Sequence, residues 1–262
     1  MKIVRFLEGG HIKYGEVTGD YGDTIHELVR TPFTGIERQG NTFAIQDVEV
    51  LPPVNPQKII AVGLNYRDHA EEFNLPIPEE PLIFMKPPSS LLANGGEIVY
   101  PAISQRVDYE GELALICKTQ CRNIMPHEAP EHILGYTCAN DVTARDLQVK
   151  DGQWTRAKGF DTFCPLGPFI ETEVNLEYLT VNLHLNDELR QSSPVTNMIF
   201  SPLEILTFVS RVMTLYPGDV ILTGTPAGVG ELHPGDKVDV EIIGEDIGLG
   251  LLYNTVTNGA RP

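Results

Sequence analysis

Short apolar runs, broken every few residues by glycine or proline, set the character of this chain. Residues 2–7, 58–63, 113–117, 169–171, 179–185, 220–223 and 237–243 are rich in valine, isoleucine and leucine. Several of them alternate apolar with polar positions, as half-buried strands do. Segment 135–140, just before Asp141, reads as a further short strand. Helical patterns are fewer: one starts near Tyr66, one covers 129–134 and one spans 202–215. The last has the best start signal, with Ser201 as N-cap, Pro202 at the first helical position and Glu204 at the third. Strands predominate and do not alternate regularly with long helices. That disfavours a TIM barrel or a doubly wound sheet and favours an α+β, β-rich fold. The proline-rich stretch LPPVNPQK, 51–58, favours an extended connection. It divides the chain into a small N-terminal β domain, 1–54, and a larger domain, 55–262, that holds the candidate chemistry.

Composition narrows the class. Hydrophobic residues at 42% and charged residues at 21% are ordinary for a globular protein and set disorder aside. A net charge of -17 argues against nucleic acid and against anionic membrane surfaces as partners. It also means that an anionic substrate would need a local cation to draw it in. The N-terminal stretch lacks the apolar run of a signal peptide, and no segment approaches the length of a membrane span, so the expected location is cytoplasmic. Four cysteines in 262 residues do not suggest a disulfide scaffold. Cys117 and Cys121, with His127 or His132, are the one conceivable zinc set, but their spacing matches no tight ligand pattern.

Four groups of residues carry candidate chemistry. In RVDYEGELALIC, the alternation of Asp108, Glu110 and Glu112 runs straight into apolar Leu113, Leu115 and Cys117, and the whole reads as one strand. Residues two apart on a strand share a face, so Glu110 and Glu112 point the same way and repel unless they share a proton or a cation. With Asp141 they would offer the oxygen ligands that Mg²⁺ or Mn²⁺ prefer. A solvated strand face accounts for the same spacing. In GLNYRDHAEEF, His69 and Glu72 lie three apart on one helical face while Glu71 faces away. They read either as a general-base pair or as a surface ion pair. Lys86, Arg145 and Lys158 lie beside small or turn-forming residues and together could supply the missing positive field. The loop in ILTGTPAGVG, 221–230, lets backbone N–H groups approach an oxyanion, although its spacing is not that of a P-loop.

Taken in order, these pieces resemble the fumarylacetoacetate hydrolase superfamily. The matching stretches are GLNYRDHAEE, PLIFMKPPSSL, VDYEGELALI, GYTCANDVTARDLQ, KGFDTFCPLGPFI and LTGTPAGVG, within residues 58–245. The resemblance implies a mixed β-roll, commonly a homodimer, with Glu110, Glu112 and Asp141 as ligands to Mg²⁺ or Mn²⁺. It implies that His69 and Glu72 form the dyad of the family's hydrolases and that Lys158 stands near the reacting carbonyl. Arg145 and Gln148 match substrate-side positions, and Thr225 matches the loop residue that receives a substrate carboxylate. The segment 72–81 matches a lid in some members. The chain resembles the short bacterial members; the eukaryotic hydrolases are much longer, with a larger N-terminal domain. The implied substrate is a small anionic 2-oxo acid, processed through a metal-bound enolate. The intact dyad favours acylpyruvate-type C–C hydrolysis; isomerisation of 2-hydroxyhepta-2,4-diene-1,7-dioate and decarboxylation, including that of oxaloacetate, are the alternatives. A catalytically silent metal-binding or assembly subunit is the non-enzymatic one.

Overall fold

The computed structural model describes residues 1–19, 23–245 and 247–259. The strand-rich, α+β reading holds, with short helices placed between strands. The largest sheet runs in the order Arg38–Ala44, Thr24–Leu28, His11–Thr18, Lys2–Glu8, Cys164–Glu171, Ile133–Asn140, Gly111–Cys117, Val220–Leu222, Ile59–Gly63 and Leu82–Lys86. Most neighbours are antiparallel, but Val220–Leu222 pairs parallel with Ile59–Gly63, so the sheet is mixed. A five-stranded sheet takes Glu188–Pro194, Thr180–Leu185, Lys237–Ile243, Gly248–Asn258 and Glu97–Tyr100 in that order. Gly111–Cys117 and Ile133–Asn140 are buried almost throughout, as strands covered on both faces must be.

The N-terminal strands extend the main sheet. Lys2 and Ile3 pair with Glu171 and Ile170, and the Met1 amine forms an ion pair with the Glu171 carboxylate. The proline-rich connection is irregular. It is tied down by Asp219, which is fully buried and accepts the Gln57 and Lys58 backbone N–H groups and the Lys58 ammonium, the last at 2.5 Å.

Four α-helices matter to the site: α1 (Arg67–Glu72), α2 (Arg145–Asp151), α3 (Thr155–Lys158) and α4 (Pro202–Val212). In α4 the Ser201 hydroxyl accepts the Glu204 N–H while the Glu204 carboxylate accepts the Ser201 N–H, the reciprocal cap that the sequence specifies. Its face of Ile205, Leu206 and Val209 is fully buried, and each such side chain contributes about 1.5–3 kcal/mol of hydrophobic stabilisation.

Two expectations about elements change. The helix expected at 129–134 is a single 3₁₀ turn, Ala129–His132, and Ile133 already begins a strand. A proline at its second position and the β-branched Ile133 offer little support for a longer helix. The strand expected to run through Asp108 is two strands, Val107–Tyr109 and Gly111–Cys117, with Glu110 at the break. The first pairs with Thr143–Ala144 and Gly230–Leu232, the second with Ile133–Asn140 and Val220–Leu222. The change of partners at Glu110 turns the chain between two sheets.

Candidate active site

The break at Glu110 is built around Asn140, whose side-chain oxygen accepts the Glu110 N–H at 2.9 Å, while the Asp141 N–H donates to the Glu110 carbonyl. These two bonds lock the ends of neighbouring strands together. Glu110, Glu112 and Asp141 are all buried, and one carboxylate oxygen from each lies within 4.8 Å of the others. Among the described residues this is the one group of three metal-ligating side chains; Cys117 and Cys121 do not assemble with His127 or His132. His132 instead bonds Thr119 at 2.6 Å, and the four cysteines are free and buried.

Cations compensate most of this charge. Lys158 Nζ donates to Glu110 Oε2 at 2.7 Å and to Asp141 Oδ2 at 2.6 Å. Arg145 bridges Asp108 at 2.8 Å and Glu110 at 2.5 Å, and also donates to Gln148 Oε1 at 2.7 Å. Burial works to raise the Glu110 carboxyl, but Lys158 and Arg145 outweigh it and hold it at about 2. Glu112 has no side-chain cation and accepts only the Gly224 N–H, at 2.7 Å. Burial, reinforced by Asp141 and Glu110, keeps its carboxyl well above the usual range. Glu112 is thus the one of the three carboxylates with no cation bonded to it, and a resident cation would stabilise its charged form.

The donors fit a hard divalent cation. All three are oxygens, as Mg²⁺ and Mn²⁺ prefer, and neither thiol nor imidazole is among them. Two buried polar atoms nearby, the Tyr66 hydroxyl and the Asn140 side-chain amide, have no hydrogen-bond partner.

A cavity of about 280 Å³ opens beside the carboxylates. Glu110, Glu112, Asp141, Arg145, Gln148, Lys158, Thr225 and His69 all line it, so eight of the ten site residues expected from sequence meet in one place. Glu72 stands just behind His69: its Oε2 lies 3.3 Å from His69 Nδ1 and it also accepts the Gly228 N–H. Lys86 is the correction. Its ammonium is fully buried and donates to Asp141 Oδ1 at 2.6 Å and to the Val142 carbonyl, so it braces a carboxylate and does not face the cavity. The alternation of Leu82–Lys86 turns Met85 to solvent and Lys86 inward.

Several residues that hold the site were not among those expected. Asn65, fully buried, bonds the Thr223 and Phe200 carbonyls and the Phe200 N–H, pinning the start of α1 to the glycine-rich loop. Asp68 caps the His69 N–H at 2.7 Å and accepts from Ser193 and Asn197. Both lie inside the GLNYRDHAEE stretch, so their types were on view although their partners were not. Gln191 had no sequence signal. Its side chain accepts the Gly111 N–H and donates to the Thr225 hydroxyl and the Pro226 carbonyl, and Thr225 in turn donates to the Gly111 carbonyl. Gly111 separates Glu110 from Glu112, so this ring of bonds ties the carboxylate strand to the loop. The apolar side of the cavity is Val62, Leu64, Phe73, Leu75, Phe84 and Trp154. Phe73 and Leu75 come from the irregular, exposed segment 73–81 that follows α1.

Fold and site together define a β-rich α+β protein with an oxygen-donor cavity between acidic strands and a glycine-rich loop. Residues 58–257 match the model of the fumarylacetoacetate hydrolase C-terminal family, and the chain belongs to that family. Residues 1–53 match a second model, described as Rv2993c-like, N-terminal. The chain is 51% identical to an uncharacterized protein of Archaeoglobus fulgidus, over 96% of this chain and 94% of that one. It is 42% identical to a mitochondrial oxaloacetate tautomerase of Homo sapiens, over 95% of this chain and 90% of that protein. Among solved structures, the 5-carboxymethyl-2-hydroxymuconate delta-isomerase of Mycobacterium smegmatis superposes with a TM-score of 0.92 at 39% identity, covering 99% and 100% of the two chains.

Proposed function

We propose that this protein is a divalent-cation-dependent enzyme that moves a proton on a small 2-oxo acid, interconverting keto and enol forms. The observation that carries the reading is the meeting of three buried carboxylates with His69, Arg145 and Lys158 in one small cavity. The named relatives point the same way, one being an oxaloacetate tautomerase and another a delta-isomerase.

Glu110, Glu112 and Asp141 would hold the cation, which when bound draws electron density from the oxygen of a 2-oxo group. The chain's own residues supply the rest. With Nδ1 turned to Glu72, His69 keeps Nε2 for the substrate. It can take the proton from the carbon beside the carbonyl and deliver it to the 2-oxo oxygen to give the enol, the reverse transfer giving the ketone. Glu72 fixes the tautomer and steadies the imidazolium. Lys158 and Arg145 hold positive charge where the enol oxygen becomes negative, in a setting with little water to screen it. Together with a bound cation they would offset locally the repulsion that a chain of charge -17 exerts on an anion.

A second reading, hydrolysis of an acylpyruvate, is favoured by the same dyad together with the apolar wall, which suits an acyl tail better than a second carboxylate. Following the enol absorbance of oxaloacetate, and separately the cleavage of acetylpyruvate, with Mg²⁺ or Mn²⁺ and after chelation, discriminates between them. The expected result is cation-dependent acceleration of enol decay with slower or no cleavage. Cleavage that outpaces enol decay would make hydrolysis the function. Neither activity, with cation present, would sink both readings.

A further inference from the structure

The cavity has two unlike ends, and a line of contacts joins them. Lys158, bonded to Glu110 and Asp141, also lies over the Phe84 ring, 5.1 Å from its centroid. Phe84 in turn meets Trp154 edge-on, with centroids 5.1 Å apart and planes at 74°. Going outward from the carboxylates, the order is therefore Lys158, Phe84, Trp154.

Trp154 is held at that outer position from two sides. It is the N-cap of α3, the helix that ends in Lys158, and its carbonyl accepts the Lys158 N–H at 3.0 Å. Its ring also presses against Gly63. A Cβ at that position would lie 2.9 Å from Cζ3 of the indole, closer than real Cβ contacts come, and 3.0 Å from Cη2, tighter than most. Space therefore demands glycine there, since any larger residue would push the ring. Phe73 and Leu75 also reach the cavity, but both are about half exposed, at 54% and 49%, and Phe73 rests edge-on against the His69 ring.

We propose that Trp154 sets the length of the substrate's apolar end, with Gly63 as the seat that fixes the indole across the cavity. This rests on the reading of the site as one for small 2-oxo acids. A tail that stops short of the indole gains contact with Phe84 and Val62, whereas a longer one meets the ring itself. A misfit of one methylene in such a pocket changes recognition by about tenfold or more.

The test is calorimetric titration of the Mg²⁺-loaded protein with 2-oxobutanoate, 2-oxopentanoate, 2-oxohexanoate and 2-oxooctanoate. In the wild type, affinity should rise with chain length and then drop by about tenfold or more at a break. Trp154→Ala should move the break to a longer chain, and Trp154→Phe should move it less while keeping an aromatic contact with Phe84. Gly63→Ala should move it to a shorter chain. Trp154 is the only tryptophan in the sequence, so wild-type emission should change in step with binding. A break at the same length in the wild type and all three variants would overturn the role of Trp154 and leave the 2-oxo acid reading standing. So would saturable binding with unchanged emission. No binding of any member by the wild type would overturn the functional reading and this proposal together.

Discussion

At the scale of single residues, replacing His69 with alanine removes the base, so proton transfer should slow by about 10²–10⁴, the usual range for lost general-base help. Steady-state rates on oxaloacetate enol, with cation binding measured alongside, check this. A rate within threefold of wild type, an outcome far outside that range, would remove His69 from the chemistry. Glu110 and Glu112 were legible in the sequence because residues two apart share a side, and that survived the break between their strands. Lys86 was not. Its type suits an anionic substrate, yet strand alternation buries it against Asp141, a contact 55 positions away that no local pattern records. Gln191 stayed hidden for the same reason, since its three bonds reach Gly111, Thr225 and Pro226.

At the scale of elements, legibility followed how local the determinants were. The start of α4 was readable to the residue because its cap is a contact within one turn. Ser201→Ala removes one half of that reciprocal cap and should cost about 1 kcal/mol of stability. Urea unfolding monitored by circular dichroism is the check, and an unchanged midpoint would show that tertiary packing alone fixes the helix start. Gly248–Asn258, eleven residues long, was missed although its buried positions alternate for much of its length. Its two early glycines and its polar Asn254 and Thr255 read as loop, and only pairing with Lys237–Ile243 and Glu97–Tyr100 makes it a strand. The short helices α2 and α3 were missed as well. Each is too short to stand alone, and they form because Arg145 and Lys158 are anchored at the carboxylates.

At the scale of the whole molecule, the strand-rich class was legible but the order of the strands was not. The main sheet joins Lys2–Glu8 to Cys164–Glu171 across most of the chain, and such non-local pairing leaves no periodic trace. The five-stranded sheet leaves Leu189, Ile243, Leu251 and Tyr253 exposed, and we propose that the protein works as a homodimer. Light scattering at micromolar concentration should report a dimer; monomer alone would contradict this. No helix among the described residues is long and apolar enough to cross a membrane. Function at this scale depends on whether the buried acidic cluster at the meeting of the sheets carries a cation. Titration of the chelator-treated protein with Mn²⁺, followed by the loss of its free-ion electron paramagnetic resonance signal, measures that directly. The wild type should show one tight site per chain and a folded Glu112→Ala variant none. Equal Mn²⁺ binding by the two proteins, or none by the wild type, would contradict it.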